Sequence, residues 1–580
     1  MSRMRSLFRD AWTIARPYWF SEDRWRGLAL LAAVVGLNLG IVFINVLLNQ
    51  WNNAFYNSLQ DKDYGEFTRQ LGKFTYLAAL YIALAVYQLY LNQMLQIRWR
   101  RWLTDRYLAT WLHDKAYYRM QLHETETDNP DQRIAEDLRL FVSITVGLGL
   151  GILRAVVTLV SFVAILWTLS GPLTIPGLGV TVPGYMVWAA LLYAIVGTWL
   201  TDRIGRPLVT MNFDQQRYEA DFRFSLVRFR ENTEGVALYR GEADELRGFR
   251  ERFGHVVRNW WDIMRQTKRL TSFTAGYAQV AIIFPFVVAS PRYFRGEFAL
   301  GGLMQTASAF GQVQDSLSYI VSTYTDIASW RAVVARLGGF NRALEQVRAE
   351  AAVQGIRLEP AGGAGLDVEQ VHLALPDGRP LLDDVSFTLR RGDTALISGP
   401  SGAGKSTLFR AIAGIWPFGR GRVRFPEGER VLFLPQKPYL PLGTIREVVT
   451  YPGLPGDVSD AALVDALDAV GLPALTDRLD ESANWALRLS PGEQQRIAFA
   501  RALVQKPDWL FLDEATSAID EDQEQRLYAL LRQRLPGVTL LSVGHRSTLR
   551  AFHARRLSVA AGEAGNGAGA ARLVETPSTA

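Results

Sequence analysis

The stretch Gly399-Pro400-Ser401-Gly402-Ala403-Gly404-Lys405-Ser406-Thr407 fits the pattern G-x-x-x-x-G-K-[ST]. Glycines at these positions let successive backbone N–H groups close around phosphate oxygens, and Lys405 adds a point charge for the outer phosphates. Ser406 then opens a helix, where its hydroxyl can reach Mg²⁺ while the helix N-terminus favours the anion. Alone, the loop implies a nucleotide bound by an α/β P-loop domain, with residues 399–407 as candidate contacts.

Two further phrases follow in fixed order. Leu489-Ser490-Pro491-Gly492-Glu493-Gln494-Gln495-Arg496 begins about 85 residues after the loop, and the apolar run 509–512 then ends in Asp513 and Glu514. The three together resemble the ATP-binding cassette. That resemblance implies ATP and Mg²⁺ as cofactors, with Asp513 holding the metal through a water. Glu514 falls where a carboxylate must accept a proton from the attacking water. The apolar strand Val431–Leu434 leads to Pro435 and Gln436, matching the cassette glutamine that watches Mg²⁺ and touches the membrane domain. Residues 539–542 lead to Gly544, His545 and Arg546, matching the histidine at the γ-phosphate. A lone histidine is more often a satisfied core residue, but a place just beyond the last core strand favours the functional reading. The catalytic candidates are therefore Glu514, His545 and Gln436, and the metal candidates Ser406, Gln436 and Asp513.

In cassettes the loop of one copy faces the signature phrase of another. The same resemblance thus adds Ser490, Gly492, Glu493 and Gln494 as nucleotide contacts, lets Asp520 close the loop that crosses the interface, and implies a homodimer. The chain departs from the pattern at Pro491, usually glycine, and at Glu493, usually glutamine. Leu375 stands where an aromatic side chain usually stacks on adenine.

Composition sets the rest of the architecture. The chain has 580 residues, 16 Trp and no Cys, so two domains are the prior and disulfide chemistry is excluded. A mean hydropathy near zero suggests a hydrophobic half averaged with a soluble one. The net charge of +6 is modest and its basic residues lie beside apolar segments, which argues against a nucleic-acid partner. Six apolar runs, near 26–50, 75–97, 146–169, 184–201, 273–291 and 299–330, mostly reach the ~20 residues that cross a bilayer. Residues 1–26 are amphipathic and read as an interfacial elbow rather than a cleavable signal. Segment 98–139 carries Arg98, Arg100, Arg101, Arg106, Lys115, Arg119, Arg133 and Arg139, whereas 170–183 carries no charge. The positive-inside rule then places both termini and the cassette in the cytosol. The expected fold is a polytopic α-helical membrane domain (1–340, six spans, exporter-like) fused to an α/β P-loop domain (366–559). A flexible linker at 341–365 joins them, and a disordered tail covers 560–580.

The membrane half contains Asn49-Gln-Trp-Asn-Asn-Ala-Phe-Tyr56, Ile97-Arg-Trp-Arg-Arg-Trp-Leu-Thr104, Ala116-Tyr-Tyr-Arg119, Asp128-Asn-Pro-Asp-Gln-Arg-Ile134, Glu219-Ala-Asp-Phe-Arg-Phe224 and Arg230-Glu-Asn-Thr-Glu234. With Ala413-Gly-Ile-Trp-Pro-Phe-Gly-Arg-Gly421, these resemble the SbmA/BacA-like transporters that carry their own cassette, within a wider clan that includes peroxisomal fatty-acyl-CoA half-transporters. The resemblance implies a bacterial inner-membrane importer of peptides, glycopeptide-like drugs or cobalamin. It also implies short crossing helices in the long connections after spans two and four.

Polar stripes support hydrophilic cargo independently. Asn38, Asn45, Asn49 and Asn52 share one helical face, Gln88, Asn92 and Gln96 another, and Gln305, Ser308, Gln312 and Asp315 a third. Such side chains avoid lipid, so they face a wet cavity or bond between helices. Arg154 could be a structural partner for Asp315. Export or flipping of an amphiphile such as an acyl-CoA is the alternative, and a membrane-anchored ATPase that moves no cargo is a third.

Overall fold

A computed structural model describes residues 2–122, 130–174, 181–353, 355–361, 363, 365–560 and 571–577. It divides into two compact units, Met1–Ala109 with Asp128–Asn341, and Thr110–Thr127 with Arg342–Ala580.

The first unit is helical. After α1 (Ser2–Trp19) come α2 (Arg24–Gln60) and α3 (Tyr64–Leu112), and the first connection carries the short α4 (Ala116–Leu122). Then follow α5 (Leu138–Ser170), α6 (Tyr185–Glu231), α7 (Thr233–Tyr239), α8 (Glu242–Phe294), α9 (Leu300–Ser322) and α10 (Tyr324–Val353). At 1.5 Å per residue, the 49 residues of α3 reach roughly 70 Å, well beyond a hydrocarbon core of ~30 Å. The excess is the basic stretch that follows the second apolar run.

Five helices are long and apolar enough to cross a membrane among the described residues. The sixth expected span forms α9, in the expected place, but falls outside that group. Gln305, Gln312, Gln314 and Asp315 interrupt its apolar character. Where α5 begins, the π-helical turn Arg133–Asp137 buries the Asp137 carboxylate, which Arg133 pairs with and Arg336 of α10 grips at 2.6 and 3.0 Å. Tyr193 of α6 and Tyr277 of α8 stack at 4.3 Å and each hydroxyl donates to the other's backbone carbonyl, which pins the two helices face to face.

The second unit is α/β. A four-stranded sheet runs β1 (Ile356–Ala361), β5 (Gly419–Pro426), β2 (Gly365–Ala374), β3 (Pro380–Arg390). A six-stranded sheet runs β10 (Arg572–Pro577), β9 (Arg555–Ala560), β4 (Thr394–Ser398), β8 (Thr539–Val543), β7 (Trp509–Asp513), β6 (Val431–Leu434). Strands β9, β4, β8, β7 and β6 are parallel, and β4, β7 and β8 are almost wholly buried, so they read as unbroken apolar runs.

Three boundaries differ from expectation. Residues 341–353 continue α10, and β1 already pairs with β5, so the segment 341–365 is mostly regular structure and the sheet begins ahead of Leu366. Of the Gly-rich joint, Gly362 and Ala364 lie outside the described residues. The tail contains β10, which pairs antiparallel with β9 over 572–577, while Ala571 bridges Leu382. Residues 561–570 and 578–580 lie outside the described residues. Finally, α4 belongs with the α/β unit: Lys115 Nζ donates to Ala413 O at 3.0 Å, and Leu122 packs on the core formed by Leu408, Trp416 and their neighbours.

Candidate functional site

The parallel strands converge at their carboxyl ends, where ligands of open α/β sheets bind. Strand β4 ends at Ser398 and the chain enters the phosphate-loop sequence. Two of its glycines are required by the backbone. Gly399 has φ 154 and a Cβ there would meet Val559 at 2.9 Å; Gly404 has φ 90 and a Cβ there would meet Leu381 at 2.9 Å. Helix α11 (Lys405–Ile412) starts directly after Gly404. The buried Lys405 ammonium folds over the loop and donates to Gly399 O at 2.9 Å and Pro400 O at 2.7 Å.

Ser406 Oγ donates to Asp513 Oδ1 at 2.9 Å. Burial pushes the Asp513 carboxyl above its ordinary value, and the Ser406 hydroxyl offsets part of that rise. Glu514 follows in the left-handed region at φ 48, its N–H fixed to Val543 O at 3.0 Å. Its Oε2 accepts from Gln436 Nε2 at 3.3 Å. Because Asp513 is in register with Val543, Gly544 and His545 leave the neighbouring strand beside Glu514, and His545 is exposed. The hard oxygens of Ser406, Asp513, Gln436 and Glu514 suit Mg²⁺.

The signature phrase is built differently from its expected role. Ser490 is the N-cap of α12 (Pro491–Gln505) and forms a capping box: Glu493 N–H donates to Ser490 Oγ, and Glu493 Oε2 accepts from Ser490 N and Oγ, both at 2.8 Å. Pro491 sits at the first helical position, where no N–H is needed. The backbone N–H of Ser490, then its hydroxyl, hold Glu493 below the usual carboxylate range. The Glu493 carboxylate is therefore engaged locally by the cap, alongside its expected place among the nucleotide contacts. Gln494 is also engaged within the chain. It is buried, and its Nε2 donates to Ala486 O and Leu489 O, both at 2.9 Å.

Gln495 escaped the sequence reading. Buried, it donates to Gln436 O at 2.9 Å and Ser517 Oγ at 3.0 Å and accepts from Ala518 N at 2.9 Å. One side chain thus joins α12 to the glutamine loop and to the loop after Glu514. At the place of the usual adenine aromatic, Leu375 closes the turn to Arg379, bonding its O at 2.8 Å, and packs against the core that holds Trp416.

In the membrane unit the polar stripes split. Asn49 Nδ2 donates to Gln305 O at 3.0 Å, Gln305 Nε2 returns a bond to Asn49 Oδ1 at 3.2 Å, and Asn53 Nδ2 donates to Gln305 Oε1 at 2.7 Å. Asn49 and Gln305 are buried, so they clasp α2 to α9 and are withdrawn from the expected cavity lining. Asn38 is also buried. Asn45, Gln88, Asn92, Gln96, Ser308 and Gln312 are half-buried and Asp315 is exposed; Gln96 bonds back to Asn92 at 3.2 Å. No ion pair joins Arg154 and Asp315 among the described residues.

Comparison with known proteins matches this arrangement. Residues 14–294 match the family described as ABC transporter transmembrane region 2, and residues 382–517 match the ABC transporter family. An uncharacterized ABC transporter ATP-binding protein of Haemophilus influenzae is 37% identical, over 94% of this chain and 91% of that protein. The chain is an ABC transporter. ABC transporter D family member 2, chloroplastic, of Arabidopsis thaliana is 34% identical over 96% of this chain and 87% of its own length. The human lysosomal cobalamin transporter ABCD4 is 28% identical over 94% and 93%. This ABC transporter is accordingly related to the ABCD-family half-transporters, and its cassette is an ATPase coupled to transport. A bacterial Atm1-family ABC exporter solved with ATP bound superposes with a TM-score of 0.68 at 19% identity, over 90% of this chain and 93% of that one, which gives an exporter-like fold.

Proposed function

We propose that two copies of this chain form an ATP-driven importer of hydrophilic solutes, of peptide, glycopeptide or cobalamin type, within the SbmA/BacA-like branch. It sits in a bacterial inner membrane with the cassette and both termini cytosolic. The observation that carries this reading is the polar row of α3 and α9 that helix packing does not consume. Gln88, Asn92, Gln96 and Gln312 stay partly accessible and Asp315 exposed on helices that cross apolar surroundings, a costly arrangement unless water or polar cargo meets them. Similarity to a cobalamin transporter supports the same cargo class.

In the cassette, Lys405 and the loop 399–407 bind the phosphates of ATP. Ser406 and Asp513 would hold Mg²⁺, with Gln436 beside them, and the ion would supply positive charge against the outer phosphates. Glu514 orients and deprotonates the attacking water, and His545 steadies the γ-phosphate. Ser490 and the Gly492 N–H, at the start of α12, complete the site of the other copy.

Transport of an amphiphile is the second reading. The Asn49–Gln305–Asn53 clasp favours it, because it removes polar groups from any chamber. The deciding experiment reconstitutes the protein in liposomes and supplies ATP to one side at a time. Cobalamin or a fluorescent peptide should accumulate inside when ATP is in the lumen, and Gln88→Leu with Gln312→Leu should abolish uptake with basal ATPase intact. Accumulation only with external ATP, or stimulation of ATPase by acyl-CoA alone, would sink the importer reading.

A further inference from the structure

We propose that Glu524 is a positioning residue for ATP hydrolysis, locking the loop of His545 to the loop that follows Glu514. The inference rests on the reading of Glu514 and His545 given above. Glu524 lies in the first turn of α13 (Glu521–Arg534) and is 1% exposed. Its two carboxylate oxygens serve different loops. Oε2 accepts from Thr516 Oγ1 at 2.5 Å, two residues after Glu514, and Oε1 accepts from Thr548 Oγ1 at 2.6 Å, three residues after His545. Arg546, adjacent to His545, approaches Oε2 at 3.5 Å and donates to Ile519 O at 2.7 Å and Ser517 O at 3.4 Å. A buried carboxylate is costly unless it is fully bonded. Among the described residues the compensation comes from the two loops that carry the base and the γ-phosphate histidine, so one side chain ties their separation.

The test uses the full-length protein in detergent. Glu524→Gln should lower kcat for ATP at least roughly tenfold while KM stays within about twofold, since misplacement by ~1 Å costs rate rather than affinity. Glu524→Asp should recover part of the rate. Thr548→Val removes only the bond on the histidine side and guards against a Glu524 variant that does not fold. It should lower kcat about threefold or more at an unchanged unfolding midpoint. On a His545→Ala background Thr548→Val should add nothing, because the two act through one element. Wild-type kcat in Glu524→Gln or in Thr548→Val would overturn the proposal, as would an additive loss in the double variant. A parallel Glu514→Gln protein separates the two readings. If it turns over normally, the hydrolytic assignment fails; if it is inactive while Glu524→Gln is normal, only the role of Glu524 fails.

Discussion

In the proposed reaction Lys405 meets the outer phosphates and Glu514 the attacking water, and their surroundings differ accordingly. The ammonium is buried and already holds two loop carbonyls, so its exchange onto phosphate oxygens needs no rearrangement of the loop. Glu514 reaches the open side of the sheet, where its side chain bonds Gln436. Lys405→Ala should therefore weaken ATP binding tenfold or more, whereas Glu514→Gln should bind ATP normally and lose roughly a hundredfold or more in turnover. Nucleotide binding and phosphate release measured on the same preparations check both. Their sequence signal is strong because phosphate geometry dictates the spacing of the loop. The local bonding of Glu493 was readable too, since Ser490-x-x-Glu493 is a capping-box signature and proline suits the first helical position. Gln495 and Glu524 carry no local signal, since their partners lie on other loops. The bland reading of a histidine holds for His553, buried between Leu549 O and Ser542 Oγ, each at 2.8 Å. Burial pushes it down to about 4. The unfolded chain then binds the extra proton between that value and the ordinary 6.5, so stability present above pH 6.5 is lost as pH falls towards 4, by roughly 3 kcal/mol. His553→Gln should flatten this part of the unfolding midpoint against pH.

At the scale of elements, periodicity and length revealed the long helices and the buried parallel strands, whose apolar runs need no partner to be recognised. Elements held by distant neighbours were hidden. Strand β10 follows an Ala/Gly-rich stretch and exists because β9 offers an edge six residues long, reinforced by Arg555 Nε to Glu575 Oε1 at 2.8 Å. Strand β1 is hidden likewise, since it depends on β5. Helix α9 is a mixed case: its polar residues leave it outside the five helices apolar enough to cross a membrane among the described residues, although Gln305 clasps α2 and Ala309, Phe310 and Val313 are buried. Deleting 571–580 should expose the β9 edge and lower the unfolding midpoint of the ATP-binding unit, by about 2–4 °C for each kcal/mol lost. Thermal unfolding followed by intrinsic fluorescence checks it, and an unchanged midpoint would leave β10 as an ornament on the edge.

The whole molecule brings one phosphate loop and one signature helix, and the proposal that ATP lies between copies makes a quantitative demand. In a two-fold dimer each site takes Lys405 from one chain and Ser490 from its mate, so symmetry doubles every defect. Lys405→Ala homodimers and Ser490→Arg homodimers should both be inactive, each having lost the same half of both sites. A heterodimer of the two variants is different: one site collects both defects and the other collects none. Random mixing at equal amounts makes half the dimers mixed, each with one intact site, so independent sites would restore about a quarter of wild-type ATPase. The Ser490 substitution also removes the cap of α12, so its folding is checked first by the unfolding midpoint, where loss of an N-cap costs about 1 kcal/mol. With both chains folded and freely exchanging, recovery near that fraction places the nucleotide between copies. Strict coupling of the two sites would reduce the recovered fraction without abolishing nucleotide trapping in the intact site. Neither recovery nor trapping in the mixture would remove the composite site, and with it the requirement for two copies.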